Sequence, residues 1–253
     1  KDLSFYKYNL KSAGKLQKAG WVFLVFSLCW LGLNFHSGYI VYHESAGSKA
    51  FEIIKIPDEL ALAQSNPAQW ISAADKKNIA EGKEHFYTAD KFGLFTNKQA
   101  ISKLAWLEYL SGNTELSINL LAKAASYQEG QERVLSLYYR GAILNRSGRF
   151  NEALSDLDLA LKERPDLVLA REEKGESLWQ IGQKQEAINV WEDAVQQNPG
   201  LPLTNNFLAG AYAIEGNTAN AVFYERQADQ VTPQDPYFYW MLGIRLKNLG
   251  MTQ

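Results

Sequence analysis

The chain has 253 residues, a formal net charge of −2 and 21% charged residues. This balance, without an arginine-rich run, argues against a nucleic-acid-binding protein. The single cysteine, Cys29, excludes an intrachain disulfide framework, so cysteine usage does not indicate the redox compartment.

Residues 1–18 form a basic segment, with five lysines against one aspartate. Two interpretations are open: a short surface helix touching anionic lipid headgroups, or a solvated basic tail. The helix interpretation depends on lysines at helical spacing with apolar residues on another face, namely Lys7, Lys11, Lys15 and Lys18 against Leu3, Tyr6 and Leu10.

Residues 19–42 are predicted to form a single transmembrane helix in contact with membrane lipid, from Ala19 to Tyr42. The run from Ala19 to Phe35 contains no charged residue, and the segment to Tyr42 extends it to the thickness of a bilayer. Trp21, Tyr39 and Tyr42 are placed to lie at the two interfaces. A buried core helix or a signal peptide would have a similar composition. The run is apolar all round and lies outside the repeats, which argues against a core helix, and we favour the membrane span on its length and flanks.

The basic flank before Ala19 sets the expected orientation. Positively charged flanks lie on the cytoplasmic side of a membrane span, whereas the rest of the chain is acidic overall. We therefore expect a single-pass protein of a bacterial inner membrane, with a cytoplasmic N-terminus and a periplasmic or otherwise extracytoplasmic remainder.

Residues 43–97 are predicted to be a linker followed by a helical region. His43 to Lys49 is expected to be a polar linker. The pairs Pro57-Asp58 and Asn66-Pro67 have the character of helix starts. The apolar pattern from Pro67 to Asp90 fits either a helix or a degenerate repeat.

Beyond residue 98, five columns of residues recur with a period of 34. Small residues at such positions let two helices cross at close distance, and glycine ends a helix in the left-handed conformation. The columns are Gly141, Gly175, Ala209 and Gly243; Gly148, Gly182, Gly216 and Gly250; Ala153, Ala187 and Ala221; Ala160, Ala194 and Ala228; and Pro165, Pro199 and Pro233. The prolines are expected to start the next unit.

This pattern resembles the tetratricopeptide repeat, a stack of two-helix hairpins. An earlier unit fits with a shift of two residues, because Ala105 and Gly112 precede Gly141 and Gly148 by 36. The resemblance covers residues 98–253 as four repeats plus the first helix of a fifth. It implies an all-α fold, and with the apolar segment described above we expect a tetratricopeptide-type helical-hairpin solenoid preceded by one transmembrane helix.

In this family the first helix of each repeat lines a concave groove that binds protein segments. Carrying those positions over implies an aromatic groove with an acidic centre that receives a basic, partly apolar segment. The implied partner-binding residues are Trp106, Tyr109, Tyr138, Asn145, Arg146, Glu172, Glu176, Trp179, Asn206, Tyr237 and Trp240.

The sequence contains no recognisable catalytic motif, so we expect a protein that is not an enzyme, with no cofactor, metal or small-molecule substrate. Glu172, Glu173 and Glu176 are interpreted as a solvated helix face and not as catalytic carboxylates. His36 and His43 lie seven residues apart. They could ligate a haem or chlorophyll, although interfacial positions or bonds to a partner backbone are the commoner roles of such histidines.

Two functions fit these features. The first is a membrane-anchored repeat scaffold, an accessory subunit or assembly factor whose partners are subunits of a membrane protein complex. The alternative is the last span and repeat tail of a polytopic membrane glycosyltransferase or polymerase. The helix containing Tyr237 to Trp240 is more apolar than a solvent-facing cap. We therefore expect either further chain beyond Gln253 or a partner to cover it.

Overall fold

The computed structural model describes residues 2–94 and 97–251. Its fold is a predominantly α-helical solenoid, preceded by one long apolar helix and a small antiparallel sheet, which confirms the expected fold class. The apolar core forms two clusters, one between Ala61 and Ala170 and the other between Leu178 and Met251 with Ala63.

The N-terminal segment is a three-stranded antiparallel sheet: β1 (Leu3–Phe5), β2 (Tyr8–Ser12) and β3 (Lys15–Leu16). The predicted surface helix is therefore wrong. Ala13 and Gly14, with φ of 49° and 80°, provide the left-handed pair that a two-residue hairpin turn requires. Leu10 is buried on the first turn of the following helix, where Gln17 N–H donates to its carbonyl at 3.0 Å.

Helix α1 (Lys18–Ile53) is continuous over 36 residues. By length and composition it could cross a membrane, with a mean hydropathy of 1.5 in its most apolar window. Most apolar side chains between Trp21 and Tyr42 are exposed. The expected polar linker from His43 to Lys49 is instead helical, because the small residues Gly47 and Ala50 pack this part of α1 against the solenoid.

Two short elements and one longer helix connect α1 to the repeats: α2 (Asp58–Leu62), a 3₁₀ turn (Pro67–Gln69) and α3 (Ala73–Phe92). Both predicted start positions, Asp58 and Pro67, do begin helical elements. The longer helix begins only after Ser72, whose hydroxyl accepts from the Asp75 N–H at 3.1 Å and caps it. Helix α3 packs against the second half of α1, from His36 to Ala50.

Four helical hairpins follow: α4 (Lys98–Leu110) with α5 (Thr114–Tyr127), α6 (Gly130–Arg146) with α7 (Phe150–Glu163), α8 (Val168–Gln180) with α9 (Lys184–Gln197), and α10 (Pro202–Ile214) with α11 (Thr218–Val231). Gly148, Gly182 and Gly216 have φ of 74°, 86° and 76°, which confirms their predicted left-handed role.

The recurring prolines lie in the loops between hairpins and not at helix starts. Each next helix begins three residues after its proline. Pro202 and Pro236 take the first helical position of α10 and α12. The recurring prolines therefore indicate the loops between hairpins, and the helices that follow begin at residues outside the five columns.

The last described helix, α12 (Pro236–Asn248), has the expected length of a fifth first helix. It packs differently from the other first helices, because it turns back onto the inner surface of the solenoid and contacts α2, α8 and α10. The chain's own α2 region thus covers part of this apolar helix, an arrangement that neither sequence-based explanation included.

Candidate partner-binding site

The concave face is formed by the inner surfaces of α4, α6, α8 and α10, as expected of the first helices of the repeats. Residues 57–70, between α1 and α3, lie on its first half. The Tyr109 hydroxyl donates to the carbonyl oxygens of Gln64, at 2.6 Å, and Ala61, at 3.2 Å. The Tyr139 hydroxyl donates to the Asp58 carboxylate. These bonds attach the connecting segment to α4 and α6.

Helix α12 lies on the second half of the concave face. Trp179 Nε1 donates to the Leu249 carbonyl at 2.9 Å, and Gln180 Nε2 donates to the Asn248 carbonyl at 2.6 Å. Both acceptors are at the carboxyl end of α12, where carbonyl groups lack partners within the helix. Side chains of α8 therefore supply hydrogen-bond donors to the last carbonyl groups of α12, which lies across them.

A buried cluster of four charges joins α6, α8 and α12. Arg146 donates to Glu173 at 2.6 Å and to Glu176 at 3.0 Å. Arg245 donates from Nη2 to Glu173 Oε1 at 2.9 Å and also to Glu176. Each carboxylate is thus shared by two guanidinium groups, and all four side chains are at most 5% exposed. Such pairing is what makes buried charge tolerable.

The two neighbouring carboxyls Glu172 and Glu173 have opposite pKa shifts. Burial favours the neutral form of Glu173, but Arg146, Arg245 and the Asn145 amide together outweigh it and lower its pKa. Burial raises the pKa of Glu172, and Arg245 and the Thr204 hydroxyl, which donates at 2.6 Å, offset this only in part. The prediction that Glu172, Glu173 and Glu176 form a solvated face is wrong, because all three are buried.

The structure divides the predicted groove residues into three groups. Asn145, Arg146, Glu176 and Trp179 come together around α12, where the Arg146 side chain is 4% exposed. Tyr109, Tyr138 and Glu172 are also buried, whereas Trp106 and Asn206 are half-buried. Only Tyr237 and Trp240 are exposed, and they lie on α12 itself. An open groove lined by all of these side chains is therefore not present.

Sequence reasoning missed two partners of this site. Arg245 supplies half of the positive charge, and its guanidinium lies 5.2 Å from the centre of the Phe207 ring. Asp58 holds the connecting segment on α6. An arginine within an otherwise apolar helical stretch was a usable signal for Arg245. No signal in the sequence indicated that either segment folds into the groove.

Two clefts flank α12. The larger, of about 1120 Å³, separates its first turn from residues 55–75 and from the starts of α8 and α10. Its walls are mainly apolar, and Trp70 meets Trp240 there edge to face at 6.4 Å. The smaller, of about 550 Å³, lies beside the charge cluster and is lined by Arg146, Glu176 and Ile244. The resident helix therefore fills the concave face incompletely.

The three histidines link α1 to α3. His43 Nδ1 and His85 Nδ1 are 2.8 Å apart, so that one imidazole donates to the other, and His36 Nε2 donates to the Phe92 carbonyl at 2.8 Å. These bonds give His36 and His43 a structural role in joining the two helices. Within residues 2–94 and 97–251, no three His, Cys, Asp or Glu side chains are grouped to hold a metal ion.

Comparisons with known proteins support the repeat resemblance. Residues 172–236 match the family model described as tetratricopeptide repeat. No curated protein matches the sequence.

Several solved structures share the fold. The crystal structure of MamA is 19% identical with a TM-score of 0.56, and the match covers 64% of this chain and 95% of that one. YrrB, described as a TPR protein with an unusual peptide-binding site, is 17% identical with a TM-score of 0.53, covering 65% and 83%. MamA 41-end from Desulfovibrio magneticus RS-1 is 14% identical with a TM-score of 0.56, covering 70% and 96%. At these identities the likeness shows the fold alone.

Proposed function

We propose that this protein is a membrane-anchored scaffold of tetratricopeptide type that binds protein partners, as an accessory subunit or assembly factor of a larger membrane complex. The observation that carries this proposal is the continuity of α1. Its first half exposes apolar side chains, and its second half packs against α3 through contacts that include Gly47 and Ala50. One helix thus joins a lipid-compatible surface to a protein-binding fold.

The dimensions of α1 suit a bilayer. Residues 20–42 span about 35 Å at a rise of 1.5 Å per residue, which matches a hydrocarbon core of about 30 Å. The N-terminal sheet carries Lys7, Lys11 and Lys15 at the start of this segment, and Phe5 continues its apolar surface by contacting Phe23 at 6.1 Å. From the positive-inside rule we infer that this end lies at the cytoplasmic headgroups and that the solenoid lies in the periplasm.

Protein binding is the general role of tetratricopeptide solenoids, which act as scaffolds without chemistry of their own. YrrB, whose fold is similar, is described as having a peptide-binding site. The concave face of this chain already holds two helical segments against its aromatic and charged side chains. We infer that this chain also works by binding protein segments and not by catalysis.

The membrane anchor is tested by charge insertion. Lysine at the centre of a spanning helix costs about 2.5–3.5 kcal/mol, so Leu28→Lys with Leu31→Lys should move the full chain from the carbonate-resistant membrane fraction to the soluble fraction. The matched control is Leu116→Lys with Leu159→Lys, because these leucines are similarly exposed but lie on the solenoid. Retention of the Leu28/Leu31 variant in the membrane would overturn the anchor.

Orientation and partners need separate experiments. Protease added to intact spheroplasts should digest the solenoid, whereas digestion only in inverted vesicles would reverse the topology. Affinity purification in mild detergent, followed by mass spectrometry, should recover membrane-complex subunits with the wild-type chain. Recovery of the chain with no co-purifying protein in a stoichiometric amount would contradict the scaffold role.

A further inference from the structure

We propose that the inner surface of α8 and α10 is a receptor for an arginine-bearing amphipathic helix of a protein partner, and that α12 occupies this receptor as an internal ligand. The inference rests on the proposed protein-binding function and specifies the chemistry of the segment that is bound. Three features of α12 support it: its position, its charge and its incomplete fit.

The position of α12 differs from that of a repeat helix, although its local sequence is that of one. Gly250 ends it with φ of 69°, as the equivalent glycines end the other first helices. Helices α6, α8 and α10 each pack on the second helix of the preceding hairpin, whereas the contacts of α12 are with α2 and α10. The helix is held instead by Arg245 and by bonds from Trp179 and Gln180 to its last carbonyls. These are the contacts of a bound segment.

The charge cluster dictates what such a segment must carry. Without Arg245, the buried carboxylates of Glu173 and Glu176 would share Arg146 alone. A buried charge without its partner is strongly destabilising. A helix that replaces α12 must therefore deliver a cation to the same place. The Phe207 ring beside Arg245 favours a planar guanidinium over an ammonium.

The apolar contacts define the rest of the ligand. Met241 and Leu242 are buried on the same helix as Arg245, and Met241 precedes it by four residues. Residues four apart lie on one face of a helix. The receptor thus recognises a helix with an apolar anchor one turn before an arginine.

The fit of α12 is incomplete, which makes it displaceable. Arg146 Nε and Arg245 Nε are buried and have no hydrogen-bond partner among the residues that the structure describes. Tyr237 and Tyr239 remain exposed, and open clefts flank the helix on both sides. A partner helix that fills the clefts and accepts a hydrogen bond from Arg146 Nε would compete with α12.

The test uses a fluorescent peptide of residues 235–251 and the full chain in mild detergent. Arg245→Glu in the chain should release α12 and leave the receptor carboxylates in place. This variant should bind the peptide at least tenfold more tightly than the wild-type chain does. A peptide with methionine in place of its arginine should bind this variant at least tenfold more weakly than the arginine peptide. A peptide with lysine at that position should have an intermediate affinity. Equal binding of the arginine and methionine peptides would overturn the proposal.

A second measurement needs no substitution in the chain, in case the variant unfolds. Excess arginine peptide should increase amide hydrogen exchange of residues 236–248 in the wild-type chain, whereas the methionine peptide should not. Unchanged exchange at saturating peptide would show that α12 is a permanent part of the fold. If the wild-type chain dimerises and the peptide abolishes the dimer, then the receptor binds a second copy of this chain. That result would contradict binding of a partner helix.

These outcomes are independent of the membrane experiments. If the peptide binds but the membrane experiments fail, then the membrane-anchor proposal is rejected and the receptor proposal stands. If anchoring and partner recovery are normal but the peptide does not bind, then only the receptor proposal is rejected.

Discussion

A Cβ atom built on Gly175 would lie 2.1 Å from Nε1 of Trp191. The indole of Trp191 is fully buried against the backbone of α8, where Nε1 donates to the Glu172 carbonyl at 3.3 Å. Helices α8 and α9 can therefore approach this closely only because position 175 has no side chain. Gly141 belongs to the same column of the repeat, and a Cβ atom built on it would lie 2.8 Å from Cγ of Leu157.

Gly175→Ala and Gly243→Ala should have opposite effects although they change the same repeat column. Alanine at 175 overlaps a buried ring and should lower the free energy of unfolding by about 1–3 kcal/mol or more. Alanine at 243 enters open space on a helix and should raise it by up to about 1 kcal/mol. Urea denaturation followed by circular dichroism measures both. Equal destabilisation by the two variants would contradict the open surroundings of Gly243.

Gly47→Ala should loosen the joint between α1 and the solenoid. A Cβ at position 47 would lie 2.9 Å from the ring of Phe86, which is 1% exposed and has no room to move. We expect a loss of about 1–3 kcal/mol in stability and faster amide exchange in residues 43–53.

Gly38→Ala is the control for this joint, because position 38 lies on the same helix with no atom within 4 Å. It should leave both stability and exchange unchanged or slightly improved. If Gly47→Ala behaves like Gly38→Ala, then the α1–α3 contact does not fix the solenoid to its anchor helix.

The neighbours Glu172 and Glu173 should respond in opposite directions to neutralisation. The folded-state pKa of Glu172 is raised by burial, so its charged form weakens the fold above that pKa. Glu172→Gln should therefore raise the melting temperature at pH 7, since glutamine can still accept from Thr204. This advantage should shrink on acidification, as the wild-type carboxyl becomes protonated.

Glu173 has a lowered folded-state pKa, so its contribution is present above the ordinary value of 4.5 and is lost as pH falls through the folded pKa. Glu173→Gln breaks a buried ion pair and should cost about 3–5 kcal/mol at pH 7. Melting curves of both variants between pH 7 and pH 4 test the pair. A loss of stability at pH 7 in Glu172→Gln would refute the assignment for Glu172.

The repeat hairpins could be predicted from sequence because each depends on local features. A glycine that must be left-handed, such as Gly148, and a small residue at a helix crossing, such as Gly141, recur at a fixed period whatever the tertiary context. The N-terminal sheet was missed because the lysine spacing imitates a helix. The turn residues Ala13 and Gly14 were the better signal.

The occupied groove could not be predicted in this way. Its geometry depends on contacts between residues far apart in sequence, such as Arg245 with Glu173 and Tyr109 with Gln64. Periodicity reports which helices form and which face is inward. It does not report that residues 57–70 and α12 occupy that face, so accessible and buried aromatic residues look alike in the sequence.

Tyr109→Phe should release residues 57–70 from the first half of the concave face. The hydroxyl of Tyr109 donates to the carbonyls of Gln64 and Ala61, and the residue itself is fully buried. Its removal leaves a buried carbonyl at Ala61 and a half-buried one at Gln64 without this donor, at a cost of about 1–3 kcal/mol. Limited proteolysis should then cut between Pro57 and Trp70 faster than in the wild-type chain.

Tyr138→Phe is the matched control for this last change. Tyr138 is a buried tyrosine of the same concave face, and within the described part of the chain no hydrogen bond of its hydroxyl to another residue is found. The control should leave the cleavage rate of residues 57–70 unchanged. Because the two substitutions remove the same atom, a difference in cleavage measures the bonds of Tyr109 alone. Equal rates for both variants would show that packing, and not these bonds, holds the segment in the groove.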